Sequence, residues 1–221
     1  MTEIGKIILV LAGVSCSAAQ TPYDSLYVKS SLYKNRTAMF ASSETTSAQI
    51  VFFGNSITSA GDWNTLLDRD SISNQGIGGD NTLGMLHRLQ YVYRLRPKLC
   101  FIMAGINDLY EDVPVKKIFE NYRQIIDTLR AKNITLIIQS TLYVNPQWKR
   151  AEAKNIEVKK LNLFLQQYCS ANNITFIDLN AKLSTNGMLS DQYTTDGVHL
   201  TPTAYAEWTK VIVPILLRYG L

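Results

Sequence analysis

Five short runs recur along the chain: QIVFFG at 49–54, SISNQG at 71–76, KLCFIMAG at 98–105, ITLIIQST at 134–141 and ITFIDLN at 174–180. Several are continuously apolar where a half-exposed strand would alternate, which is the pattern of strands covered on both faces. A chain built from such runs has few options beyond a central parallel sheet. The segments between them carry helical spacing: 80–94 through Leu83, Leu86, Leu89 and Val92; 114–131 through Ile118, Tyr122, Ile125, Ile126 and Leu129; and 150–171 through Ile156, Leu161, Leu163, Leu165 and Tyr168. A last amphipathic helix starts after Thr201-Pro202, with proline in the first turn where its missing N–H costs nothing, and runs to Gly220. Five βα repeats with right-handed crossovers predict an α/β fold, a three-layer α/β/α sandwich on a five-stranded parallel sheet.

At 221 residues the chain supports one sizeable core, and 20–221 is expected to form a single domain. Before it, MTEIGKIILVLAGVSCSAAQ has one lysine, an apolar run from Ile7 to Val14 and a patch of small residues. That run is far short of the roughly 20 residues of a spanning helix, so no integral membrane span is expected. It suits a signal peptide over residues 1–19, cleaved after Ala19, and hence an exported, periplasmic or secreted protein. Gly13-Val14-Ser15-Cys16 allows a lipoprotein variant of the same signal, anchored through Cys16. The remaining cysteines, Cys100 and Cys169, make no disulfide framework and read as small buried hydrophobes. The net charge of +4 comes from 22 basic and 18 acidic residues scattered along the chain, without the stripe that nucleic-acid binding needs.

In a parallel sheet, chemistry gathers at the carboxyl ends of the strands. Those ends carry Ser56, then Gly76-Ile77-Gly78-Gly79-Asp80, then Gly105-Ile106-Asn107-Asp108, then Tyr143 and Asn145, with Asp196-Gly197-Val198-His199 ahead of the last helix. Only two histidines exist, and His87 falls inside a helical pattern. His199 lies in a loop three residues after Asp196, where a carboxylate can fix the tautomer of an imidazole that takes a serine proton. Acyl transfer also needs donors for the oxyanion. A glycine turn entering a helix, as at Gly79, offers an unpaired N–H, and the Asn107 amide offers another.

Other readings of these residues fail on spacing. GIGGD is not G-x-G-x-x-G, because Asn81 stands where the third glycine belongs, and no P-loop lysine follows. The elbow G-x-S-x-G fails at Thr58. A non-catalytic carbohydrate-binding module remains a distinct alternative, against which all five catalytic-type residues speak.

The set Gly54-Asn55-Ser56, Gly79, Gly105-Ile106-Asn107-Asp108 and Asp196-Gly197-Val198-His199, in order between about Gln49 and Tyr205, resembles the four blocks of SGNH hydrolases, also called GDSL-type esterases and lipases. It is most similar to the branch holding platelet-activating-factor acetylhydrolase catalytic subunits, lysophospholipase/thioesterase I and sialate O-acetylesterase-like proteins. The resemblance implies a flavodoxin-like sheet order and a serine esterase with Ser56 as nucleophile, His199 as general base and acid, and Asp196 as orienting carboxylate. It further implies an oxyanion hole from the Ser56 and Gly79 N–H groups and the Asn107 amide, with no metal and no cofactor. The chain departs from it at Asn55, where the family usually has aspartate. The expected substrate is a small-molecule or glycan ester, foremost short O-acetyl esters on carbohydrate, with lysophospholipid or thioester hydrolysis as the alternative. Trp63, Tyr143, Trp148, Tyr193 and Asn145 are placed near the site, the aromatics as a possible sugar-stacking wall.

Overall fold

The computed structural model describes Tyr23 and residues 26–221; the expected signal segment and Cys16 lie outside the described residues. Two helices come first, α1 (Leu26–Lys29) and α2 (Ser31–Ser42), the second capped by the Ser30 hydroxyl, which accepts from the Tyr33 N–H. The sheet consists of β1 (Ile50–Gly54), β2 (Ile72–Gly76), β3 (Leu99–Met103), β4 (Thr135–Gln139) and β5 (Thr175–Ile177), each within the run that predicts it. All neighbours pair in parallel in the order β2-β1-β3-β4-β5, the flavodoxin-like order. Every residue of β1 and β3 is buried, which is why their runs are unbroken by polar side chains.

After β1 come α3 (Ser56–Ser59) and α4 (Trp63–Leu67); after β2, α5 (Thr82–Leu86) and α6 (Gln90–Tyr93); after β3, α7 (Ile106–Tyr110) and α8 (Val115–Arg130). Helix α9 (Ala151–Ala171) follows β4, and α10 (Asn180–Leu183), a hairpin of β6 (Ser184–Thr185) and β7 (Met188–Leu189), and α11 (Pro202–Arg218) complete the chain. The five apolar residues expected along α8 are all buried. Cys100 and Cys169 are free and buried, as small hydrophobes.

Three expectations need correction. The single helix over 80–94 is two, because residues 87–89 form tight turns, Arg88 N–H bonding to Met85 O at 3.2 Å and Tyr91 N–H to Arg88 O at 3.1 Å. The buried face of α9 is Val158, Leu161, Leu165 and Cys169, while Ile156 and Leu163 face solvent. Spacings of three and four link the buried set, and Ile156 and Leu163 fall between its rows. The β6–β7 hairpin was not anticipated, although Asn186 and Gly187 both take positive φ, 51° and 75°, as the common two-residue hairpin turn requires. No helix among the described residues is long and apolar enough to cross a membrane.

Candidate active site

Strand β1 ends at Gly54, where a Cβ would lie 2.5 Å from the Met103 carbonyl oxygen, so the strand end admits no side chain. Asn55 follows in an extended conformation and caps α3, its Oδ1 accepting from the Ile57 N–H at 3.0 Å. Ser56 is thereby the first residue of the helix, where backbone N–H groups have no partner within the helix.

The partner loop is held by its own hydrogen bonds. Thr194 Oγ1 donates to His199 O at 2.8 Å and accepts from the Gly197 N–H at 2.8 Å, with Gly197 at φ 100°. Asp196 Oδ1 accepts from the N–H groups of Val198 and His199 at 2.9 and 2.7 Å, and its Oδ2 lies 2.6 Å from His199 Nδ1. His199 Nε2 is 3.1 Å from Ser56 Oγ, 143 positions away in sequence. With Nδ1 donating to the carboxylate, Nε2 is left to accept the serine proton. Partial burial alone would raise the Asp196 pKa, but the His199 side chain and the two backbone N–H groups outweigh it and hold the carboxyl at about 2. Helix α11 joins the two halves, since the Tyr205 hydroxyl donates to Ile57 O at 2.6 Å.

Gly79 has φ 72° with nothing within 4 Å of where a Cβ would sit, so its backbone faces open space beside Ser56. No described residue accepts from the N–H of Ser56 or Gly79. Asn107, the second residue of α7, gives one of its two amide hydrogens to Asp80 O at 2.8 Å and retains the other. Beneath it Asp108 is fully buried, its carboxylate accepting from the Thr82 N–H at 3.0 Å and the Tyr23 hydroxyl at 2.8 Å; burial pushes its pKa up. These groups open into a cleft of about 500 Å³ whose lining includes Leu32, Ser56, Gly79, Asn107, Trp148 and His199. A serine hydroxyl, an imidazole and three spare N–H donors on one cleft, with a carboxylate behind the imidazole, are groups that acyl transfer can use. Among the described residues no group of three or more His, Cys, Asp or Glu side chains is placed to hold a metal ion.

The expected substrate contacts fare unevenly. Trp63 is 1% exposed, stacked on Phe52 at 3.9 Å and set edge-on to Trp208 at 4.8 Å, so it is core and no part of a sugar platform. Asn145 is 3% exposed, its amide donating to Leu189 O at 2.8 Å and Asp191 Oδ1 at 2.6 Å, so it braces the loop that carries Trp148 instead of facing ligand. Tyr143 is half-buried outside the cleft, and Tyr193 packs on the core. Trp148 alone of the four aromatics lines the cleft, edge-on to Tyr110 at 6.4 Å. Leu32, Tyr110, Lys149 and Arg150 also line it and were not anticipated. Tyr110 ends the helix that carries Asn107, whereas Leu32, Lys149 and Arg150 have no chemical motif around them and are brought there by the packing of α2 and of the 146–150 loop. His87 is exposed, stacked on Tyr27 at 4.9 Å and away from the cleft.

Comparison with known proteins gives the family and the fold. The model of the GDSL-like Lipase/Acylhydrolase family matches residues 52–207. A GDSL-like lipase from Bacteroides thetaiotaomicron superposes with a TM-score of 0.72 at 25% identity, over 89% of this chain and 99% of that one. A lipase/acylhydrolase from Enterococcus faecalis superposes with a TM-score of 0.66 at 25% identity, over 76% and 95%. An N-acylneuraminate cytidylyltransferase from Streptococcus agalactiae is 29% identical over 135 residues, 61% of this chain; the chain spans only 32% of that protein's length.

Proposed function

Because the chain belongs to the GDSL-like lipase/acylhydrolase family, we propose that it is an ester-hydrolysing enzyme, a serine esterase for short O-acyl groups, foremost acetyl, on carbohydrate. The observation that carries this is the relay Ser56 Oγ, His199 Nε2, His199 Nδ1, Asp196 Oδ2, with steps of 3.1 and 2.6 Å. Ser56 Oγ attacks the ester carbonyl carbon while His199 Nε2 takes its proton, and the carbonyl oxygen becomes an oxyanion facing the Ser56 and Gly79 N–H groups and the Asn107 amide. Collapse of the tetrahedral intermediate breaks the bond to the leaving oxygen. His199 returns the proton to that oxygen and the alcohol departs. Water, deprotonated by His199, then attacks the acyl-Ser56 carbonyl, and the acid leaves with the serine proton restored. No metal or cofactor enters this chemistry.

On this reading the side of the cleft that holds His199 takes the alcohol half of the ester. His199 protonates the leaving oxygen, so the alcohol lies towards Val198 and Trp148; a Cβ on Gly197 would meet Trp148 Cβ at 3.0 Å, so Trp148 packs beside the His199 loop, and it lines the cleft with His199. An indole at the leaving-group side suits a pyranose ring, and the streptococcal protein of which a third resembles this chain is named for a sugar. The acyl half then lies towards Gly78, Gly79 and Leu32. Export, supported by the apolar run Ile7–Val14 and the small residues after it, belongs to the same proposal and is tested by cell fractionation.

Rates on p-nitrophenyl acetate, butyrate and octanoate, with acetate release from acetylated polysaccharides, test the reading. Acetate should be the best chain length and Ser56→Ala should abolish turnover. Leu32, 61% exposed at the cleft edge, is the one feature that favours a longer acyl chain, and a clear preference for octanoate would replace the acetyl reading with the lysophospholipase or thioesterase one.

A further inference from the structure

Arg88 is fully buried, and its guanidinium is satisfied by atoms that no single element supplies. Nε donates to Asp80 Oδ2 at 2.7 Å, one terminal nitrogen to Gln75 O at 2.7 Å and the other to Gly54 O at 2.8 Å, while the plane lies over the Phe53 ring at 4.5 Å. Gly54 and Gln75 stand at the carboxyl ends of the adjacent strands β1 and β2. Two residues beyond Gly54 is Ser56, and Asp80 directly follows Gly79. The Asp80 carbonyl in turn accepts the Asn107 amide at 2.8 Å. One side chain therefore touches the segments that lead into Ser56 and Gly79, its bonds to Gly54 and Asp80 ending two residues and one residue from those donors, and it reaches Asn107 through the Asp80 carbonyl.

We infer that Arg88 is a positioning residue for the oxyanion hole, a role that rests on the esterase reading and extends it. A buried ion pair is seldom the most stabilising way to fill such a space, since apolar side chains of similar volume do as well or better. What apolar side chains lack is direction: the planar fork fixes three acceptors relative to one another. The pairing with Asp80 fits that use. Only Oδ2 of the carboxylate is engaged, and Oδ1 is buried without a hydrogen-bond partner, so the pair aligns the 79–80 turn without saturating the carboxylate's acceptors. Sub-ångström displacement of such donors is enough to slow acyl transfer, because they must meet the oxyanion and not the ground-state carbonyl.

Steady-state kinetics on p-nitrophenyl acetate with Arg88→Lys and Arg88→Met test this, alongside Asn107→Ala and each double variant. The expected result is a kcat lowered about 10- to 100-fold at unchanged KM, with the midpoint of the pH–rate profile unmoved because the His199–Asp196 pair is untouched. The Arg88 substitution should cost much less once the Asn107 amide is gone, since both act on the same oxyanion. Wild-type kcat in Arg88→Lys, or strictly additive losses in the double variants, would overturn the inference. Should neither Arg88 variant fold, Asp80→Asn, which keeps the shape and one acceptor, carries the test: a several-fold loss of kcat supports positioning and an unchanged kcat overturns it. An active Ser56→Ala protein would sink the esterase reading itself, an outcome separate from any result at Arg88.

Discussion

Asn55 stands between the strand end and Ser56, at the one block position where the chain departs from its family's usual aspartate. Its work in the fold is that of an acceptor: Oδ1 takes the Ile57 N–H at 3.0 Å and closes the first turn of α3. A carboxylate accepts equally well, so Asn55→Asp should keep kcat within a few-fold, whereas Asn55→Ala loses the cap, costs about 1 kcal/mol of stability and slows turnover; urea unfolding and kcat on p-nitrophenyl acetate read both. Asp196 is different in kind, because under the proposed mechanism its charge and its control of the His199 tautomer are what it contributes. Asp196→Asn should leave the fold intact and lower kcat by about 10² to 10⁴. Residue types and block order singled out Ser56, Asp196 and His199, which the fold brings within hydrogen-bond reach of one another; the direction of aromatic side chains was not readable. Trp63 begins a helix of five residues, too short for a periodicity that would reveal which way the indole points, and it points into the core. Trp63→Ala should therefore cost about 3–5 kcal/mol in unfolding free energy. Trp148→Ala should instead raise KM for acetylated glycans and spare p-nitrophenyl acetate.

At the scale of elements, the site depends on short helices entered through constrained turns. Gly105, at φ 107°, opens α7, and a Cβ there would lie 2.6 Å from Leu161 Cδ2 on α9. Both the left-handed backbone and the contact are intolerant of a side chain. Gly105→Ala should destabilise the protein by at least about 1 kcal/mol and, by shifting α7, lower kcat through Asn107, measurable as a fall in Tm with a larger proportional fall in kcat than in 1/KM. Long elements were legible because a buried stripe repeats over many turns, as along α8. The break between α5 and α6 was not, because it follows from Arg88 reaching through tertiary bonds to the ends of β1 and β2, a demand that local periodicity does not encode. The same holds for α9. Lys154 is nearly buried there, its Nζ donating to Asp112 Oδ1 and Glu157 Oε2 at 2.8 Å each, and a lysine on a helix otherwise reads as solvated.

At the scale of the molecule, the strand order puts the loops after β1 and β3 on either side of the point where the winding reverses, and the cleft opens there. Assembling a site at that point places carboxylates in opposite environments, and this fixes the sign of the pH response. Asp80, buried beside Arg88, has its pKa raised from 3.8 to about 6, desolvation outweighing the guanidinium. A raised folded-state pKa means the folded protein holds the proton more tightly than the unfolded chain. The stability this contributes is complete below about pH 4 and is lost as pH rises through about 6. Burial raises Asp108 and Glu111 as well, and they act in the same direction. Asp196, held at about 2, acts oppositely: its contribution is present above about pH 4 and lost as pH falls towards 2, and its exposure to solvent keeps it small. Between pH 4 and 6.5 the buried groups prevail, so the urea midpoint should fall as pH rises, with a slope of at most about 1.4 kcal/mol per pH unit for each proton released. Asp80→Asn should flatten that slope while leaving the part due to Asp108 and Glu111. A midpoint that rises with pH across this window would show instead that Arg88 keeps Asp80 ionised throughout, its attraction exceeding the cost of burial.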